Sequence, residues 1–249
     1  MTSQTKPIEL YFWTTPNGYK ISVMLEEMGV PYDVRFVVIG RGEQFKPEFL
    51  KISPNNRIPA IIDPEGPGGA PISVFESGAI MMYLGRKFGS PLYPADERRR
   101  VAVDEWLMWQ MANVGPVLGN NNHFRTYAKE HHPYATQRFL DETNRLYGVL
   151  DERLEGRDFV CDEYSIADIA SFCWMRSWER RGVDISEFPL VKAWIERILE
   201  RPAVQRGLAI KPPQEINLAT DEEARKIMFG QRSRRGSATG AASSTTSPN

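Results

Sequence analysis

Cysteine is scarce in this chain. There are two, Cys161 and Cys173, and their spacing fits neither a Cys-x-x-Cys redox pair nor a zinc site. Histidine is nearly as scarce. His123, His131 and His132 show no metal-site spacing with carboxylates and read as loop residues, so no metal is expected. No apolar run is long enough to span a bilayer. The opening residues, MTSQTKPIELYF, do not place a basic segment ahead of a long apolar run, so no signal peptide is expected. Charge of one sign is missing too. The net charge is −1, which speaks against a general binder of nucleic acid or acidic substrates. Few cysteines and no export signal favour a reducing cytoplasm. Both thiols read as buried structural residues, since an unpaired Cys packs as a small hydrophobe.

What is present is ordinary in bulk. The chain has 249 residues with 41% hydrophobic and 25% charged, enough for a large core and two modest domains. "IELYFWT" reads as a buried strand and "GYKISVMLEEMG" as an amphipathic helix ending at Gly29. "YDVRFVVI" reads as a second strand. A β-α-β order in so few residues implies a parallel pair with a right-handed crossover. A loop with Gly40 and Gly42 follows, then a short helical stretch, "KPEFLKIS". "RIPAIIDP" and "PISVFE" are two short strands around a Gly/Pro turn, hence an antiparallel hairpin. "SGAIMMYLGRKFG" closes the unit as a helix. The sum is an α/β, thioredoxin-like βαβ-ββα domain over residues 1–90.

"SPLYPADE" reads as a linker. Residues 96–211 then show helical spacing throughout and are expected to form an all-helical domain. Residues 212–249 read as an extension. A further helix fits residues 220–229. The Ser/Thr/Gly/Ala-rich end has little to bury and is expected to be largely disordered from about residue 231. Arg225, Lys226, Arg232, Arg234 and Arg235 make it locally basic, which reads as a solvated tail.

Four short motifs carry chemistry. The first is "YFWTTPNGYKI" (residues 11–21), a strand running into a tight turn and a helix. A redox enzyme of the thioredoxin type carries its cysteines at such a junction. Here stand Thr14, Thr15, Pro16 and Asn17, and none is a nucleophile with an accessible pKa. Either the turn is only a turn, or the reactive group arrives with a ligand. The second motif is "NNRIPAI". A Pro entering a strand cannot donate to the ladder. A cis Ile58-Pro59 bond would leave the Ile58 N–H and C=O to a ligand; a trans bond would mark a plain edge strand. The third is "VFESGAI". Ser77 is a good N-cap, and a helix N-terminus favours an anion. Glu76 beside it could take an ammonium, so the pair suits an α-amino acid zwitterion, or is a cap beside an exposed Glu. The fourth is "YSIADIASFCW". Ser165 and Asp168 form a capping box worth about 1–2 kcal/mol, a structural feature.

Together these motifs resemble the cytosolic glutathione transferases, over residues 8 to about 210. The T-x-N-G-x-K start, "GRGEQFKPEFLKISPNNRIPAI" and "GPVLGNNNHF" resemble a narrower group. This is the nu class of bacterial glutathione-dependent disulfide-bond reductases, whose pattern the yeast nitrogen-regulating prion protein shares. The bacterial members end near Lys211, where this chain continues.

The resemblance implies that glutathione, as co-substrate, supplies the thiol. Thr15 O–H and the Asn17 side-chain N–H, at the N-terminus of the first helix, would donate to its sulfur and favour thiolate. Tyr11 and Tyr19 are nearby alternatives, Tyr11 the more readily assigned to the core. No cysteine would be needed, and none lies near the turn. Gln44 would reach the glycine end or backbone of glutathione. Ile58 would pair through its main chain with the cysteinyl part, and Glu76 and Ser77 would hold the γ-glutamyl end. Arg138 would meet a carboxylate of a second glutathione. The implied activity is disulfide-bond reduction, with conjugation of electrophiles as the alternative and non-catalytic binding as a third. A homodimer is also implied, the first domain of one chain facing the helical domain of the other. The "WLMWQM" face is compatible with that and equally with a core.

Overall fold

The computed structural model describes residues 6–218 and 220–231. The disorder expected from about residue 231 falls almost wholly outside the described residues. β1 (Ile8–Phe12) buries Ile8, Leu10 and Phe12 on one face, as a period of two requires. α1 (Pro16–Met28) begins with Pro at its first position and ends at Gly29 in the left-handed conformation, φ 64°. β2 (Tyr32–Phe36), α2 (Pro47–Ile52), β3 (Ala60–Asp63), β4 (Ile72–Phe75) and α3 (Ser77–Phe88) complete the first unit. The strand order is β2-β1-β3-β4. β1 and β2 are parallel, while β1–β3 and β3–β4 are antiparallel. This is a thioredoxin-like mixed sheet, with the parallel pair and the hairpin where the sequence places them.

The sheet register sets up everything that follows. Ala60 pairs with both Tyr11 and Phe75. Just past that row, at one end of the sheet, lie the turn after β1, the Ile58-Pro59 bond and the start of α3.

The rest is helical: α4 (Glu97–Trp109), α5 (Gly115–Asn122), α6 (Pro133–Arg153), α7 (Ile166–Met175), α8 (Trp178–Arg181), α9 (Pro189–Leu199), α10 (Pro202–Leu208) and α11 (Glu222–Phe229). Single π-turns interrupt it at Gln110–Val114 and His123–Tyr127. One apolar cluster runs from Ile8 and Phe12 through Leu25 and Ile80 to Phe172, Trp194 and Ile198, so both units share a core. The capping box forms as expected. Asp168 is fully buried and accepts from the Ser165 N–H and hydroxyl, the Val160 N–H at 2.8 Å and the Trp194 indole at 3.0 Å.

α1 is the shared element. It packs on α3, and on α7 and α10 from the helical part. The Ser22 hydroxyl donates to the Gly207 carbonyl at 2.9 Å, and Arg201 grips the Glu27 carboxylate through two nitrogens at 2.7 and 2.8 Å.

Three expectations need correcting. His123 is not a loop residue: within "GNNNHF", Asn120–Asn122 finish α5, and His123 opens a π-turn. Its polarity is absorbed inside, because Asn121 is fully buried and donates to Thr143 Oγ1 at 3.0 Å and to the Arg181 carbonyl at 3.1 Å. Arg225 is not a free tail residue, since it donates to the Tyr127 carbonyl at 2.7 Å. The "WLMWQM" face is neither all core nor all surface. Leu107 is buried, Met108 exposed, and Trp106 and Trp109 are half-buried and packed edge-on.

The segment after α10 crosses back to the first unit. Ile216 and Ala224 pack on Gly40, where a Cβ would sit 2.8 Å from the end of the Ile216 side chain and oblige it to shift. Arg41 pairs with Asp221 at 2.7 Å, and Phe229 packs edge-on against His123 and tilted against Tyr127. Asn56 donates to Gln231 at 3.3 Å. α11 thus bridges the loop around Gly40 and the π-turn of the helical part.

Candidate functional site

The turn after β1 is held tightly. Thr15 is the N-cap of α1, with extended backbone, and its hydroxyl accepts from the Gly18 N–H at 3.2 Å. A Cβ at Gly18 would lie 2.3 Å from the Trp13 carbonyl, so the close approach demands glycine. The cap uses the Thr15 oxygen as acceptor and leaves its hydrogen for another partner, since a hydroxyl can do both.

Asn17 is fixed from the helical side. Its Oδ1 accepts from the Trp174 indole N–H at 2.8 Å. An indole nitrogen only donates, so the amide oxygen must face it, and the Asn17 NH₂ is turned away as a donor. Trp174 is in turn covered by the Arg181 guanidinium, 5.5 Å from the ring centre. Tyr19 packs edge-on against Phe12, with Arg176 over its ring, and burial pushes its hydroxyl pKa up. Tyr11 points to the other side of the sheet, against Phe49, and donates to Glu9.

The Ile58-Pro59 bond is cis. Neither the N–H nor the C=O of Ile58 has a hydrogen-bond partner among the described residues. Glu76 is exposed at φ 70°, a conformation that costs free energy in a residue with a side chain and that collects at ligand sites. Ser77 corrects the sequence reading by one position. Glu76, not Ser77, is the N-cap of α3, and it makes no side-chain cap bond. Ser77 opens the helix, and its hydroxyl is occupied by the Lys20 ammonium at 3.3 Å rather than by a helix N–H.

Two expected contacts are not joined to this cluster. Gln44 is 2% exposed, and its amide donates to the Ile39 carbonyl at 2.9 Å beneath the loop. Among the described residues its Oε1 has no partner. Arg138 has a side chain 59% exposed on α6 and leans toward Glu142 at 3.8 Å, as an i,i+4 helix pair does. Cys173 needs a further correction. It is distant from the turn only in sequence, since α7 packs on α1 and sets this thiol beside Lys20. It is fully buried there, and burial pushes its pKa up to about 12; Cys161 is raised to about 12 by the same cause. Neither is a thiolate near neutrality.

Sequence reasoning missed Lys20, Gln110 and Trp174. Lys20 carried a signal: it lies one turn before Met24, on the buried face of α1. A cavity of about 430 Å³ lies beside the turn, lined by Trp13, Thr14, Tyr19 and Ile210–Pro212. It does not include Gln44, Ile58, Glu76 or Ser77, so it is not the expected glutathione groove. Among the described residues, no group of three His, Cys, Asp or Glu side chains is placed to hold a metal ion, and no helix is long and apolar enough to cross a membrane.

Comparison with known proteins agrees with this geometry. Residues 6–86 match the glutathione S-transferase N-terminal domain and residues 123–202 its C-terminal domain. The chain is 50% identical over 204 residues to the disulfide-bond oxidoreductase YfcG of Escherichia coli K12, covering 81% of this chain and 94% of that protein. A glutathione transferase from Pseudomonas putida, solved with one glutathione disulfide per subunit, superimposes with a TM-score of 0.80. It shares 42% identity, over 85% of this chain and 95% of the other. One from Burkholderia graminis, solved with two glutathione molecules per subunit, gives 0.77 at 43% identity, over 81% and 87%. With the sheet, the cis-proline edge and both domain matches in agreement, the chain belongs to the glutathione S-transferase family.

Proposed function

We propose that this protein is a glutathione-dependent disulfide-bond reductase. Glutathione lies along the sheet end, its cysteinyl part paired with the Ile58 main chain. Its γ-glutamyl end is held by Glu76, on the ammonium, and by Ser77 with the α3 N-terminus, on the carboxylate. The observation that carries the reading is the Trp174–Asn17 hydrogen bond, because it commits the Asn17 amide to donating. Asn17 Nδ2, the Thr15 hydroxyl and the dipole of α1 then stabilise a thiolate. That thiolate attacks one sulfur of the disulfide, forming a mixed disulfide with glutathione and expelling the other sulfur as thiolate. A second glutathione thiolate attacks the glutathione sulfur of the mixed disulfide. Glutathione disulfide forms and the second substrate thiol leaves. Two glutathiones are oxidised for each disulfide reduced. Relatives solved with two glutathiones, or with glutathione disulfide, support room for both. Gln44 acts indirectly, holding the loop through its bond to the Ile39 carbonyl, and Arg138 takes a carboxylate of the second glutathione.

The reaction suits the cytoplasm, where glutathione is reduced and the two free cysteines stay unpaired. Conjugation of electrophiles is the alternative use of the same thiolate. The test is turnover of hydroxyethyl disulfide beside an aryl halide. Disulfide reduction is expected to dominate. Thr15→Ala and Asn17→Ala should each lower it at least about tenfold, because a hydrogen bond to a charged group is worth about 1.5–3 kcal/mol. The double variant Cys161→Ala, Cys173→Ala should keep it. A folded but inactive double variant beside a fully active Thr15→Ala would place the reactive sulfur on the protein and overturn the reading.

A further inference from the structure

Lys20 is 1% exposed, and among the described residues its ammonium meets only neutral acceptors. These are Gln110 Oε1 at 2.6 Å, Ser77 Oγ at 3.3 Å and Met111 Sδ at 3.7 Å. A charge buried without an opposite charge is expensive, so this arrangement is incomplete as it stands. Its position says what completes it. By donating to Ser77 Oγ, Lys20 makes the Ser77 hydroxyl the donor of its own hydrogen, which without ligand goes to Met111 Sδ at 3.7 Å, a weak acceptor that a carboxylate would replace. Ser77 opens α3, a helix of twelve residues whose free N–H groups already favour an anion.

We propose that Lys20 is a positioning residue for the ligand carboxylate at the start of α3, orienting the Ser77 hydroxyl toward that carboxylate and supplying its buried counter-charge. This deepens the glutathione reading and rests on it. Without ligand, burial pulls the Lys20 amine down to about 7, against the opposing pull of Cys173 and Glu76. Those are the titratable groups that face it. Glu76 comes from the β4–α3 junction, and Cys173, on α7, is a neutral thiol. Gln110 and Met111 of the π-turn bring no charge. A carboxylate one hydrogen bond away raises the amine's pKa. Ligand binding near neutral pH therefore draws in a proton, and affinity falls as pH rises.

Calorimetry with S-methylglutathione, which has no thiol to titrate, tests this between pH 6 and 8.5 in buffers of contrasting ionisation enthalpy. The wild-type protein should take up a net fraction of a proton, largest at pH 7.5–8.5. Affinity should weaken above pH 7 by up to about tenfold per pH unit. Lys20→Met should bind more weakly at pH 6 and keep only the smaller uptake due to the ligand's own α-amine, so the wild-type protein should take up more protons than the variant between pH 7 and 8. Wild-type binding without proton uptake, or uptake undiminished in Lys20→Met, overturns the proposal and leaves the glutathione reading standing. No binding at all overturns both. Should Lys20→Met not fold, Gln110→Leu removes the nearest neutral acceptor and should move the uptake window to lower pH; an unmoved window counts against Lys20.

Discussion

Trp174 and Asn17 are 157 residues apart in sequence and 2.8 Å apart in space. The indole contributes orientation rather than chemistry. Trp174→Phe keeps a ring and removes the N–H, so the Asn17 amide is free to turn. One lost hydrogen bond is worth about 0.5–1.5 kcal/mol, and disulfide turnover should fall roughly two- to tenfold, less than in Asn17→Ala. Steady-state assays of the two variants side by side check the order. Lys20 makes a separate prediction about stability. Its folded pKa is about 7 and an ordinary lysine's is 10.5. Between those values the unfolded chain holds a proton that the folded chain does not, so this residue adds stability as pH rises from 7 toward 10. Urea unfolding across that range should show the rise in the wild-type protein and a flatter profile in Lys20→Met.

Among the elements, α7 is tied at its start by one side chain, Asp168. Asp168→Ala leaves the Val160 N–H, the Ser165 N–H and the Trp194 indole without their buried acceptor. Each orphaned donor costs about 1–3 kcal/mol, so a loss on the order of 3–5 kcal/mol in urea unfolding is expected. α11 makes a different prediction. A chain ending at Gln231 should keep its melting temperature and activity, because the Ser/Thr/Gly/Ala-rich remainder has little to bury. A chain ending at Gln214 loses the packing of Ile216 and Ala224 on Gly40 and the Arg41–Asp221 pair. It should melt lower, by about 2–4 °C for each kcal/mol lost.

These elements also show where sequence reasoning runs out. β1, α1 and the hairpin were legible because each has a local period and local punctuation, such as Gly29 and the Gly/Pro turn. The Ser165–Asp168 box was legible for the same reason. The buried role of Asn121 was not, since its partners Thr143 and Arg181 come from helices whose orientation the sequence does not fix. In the site, Thr15, Asn17, Glu76 and Ser77 stood inside short motifs. Trp174 and Gln110 reach the same place only through α7 and the π-turn, and no motif links them to the turn.

For the whole molecule, we propose a homodimer. Ile72 and Phe75 of β4 and Val101 and Met108 of α4 are large apolar side chains left exposed, one pair on each half of the chain. Facing the first half of one protomer to the helical half of its partner would cover both pairs. Light scattering at micromolar concentration should give twice the chain mass, and Met108→Glu should reduce it toward one; a wild-type monomer mass would refute the arrangement.

α1 has one more consequence. It carries Thr15, Asn17 and Lys20, yet its walls come from both ends of the chain, from α3 on one side and α7 and α10 on the other. The first ninety residues expressed by themselves would present Val23, which Gly207 of α10 covers, to water and leave the Lys20 ammonium without Gln110. The halves should therefore behave as complementing fragments. Produced together as two polypeptides cut at the exposed Ala95–Asp96 bond, they should reassemble into a working protein, and produced apart, each should be recovered as aggregate.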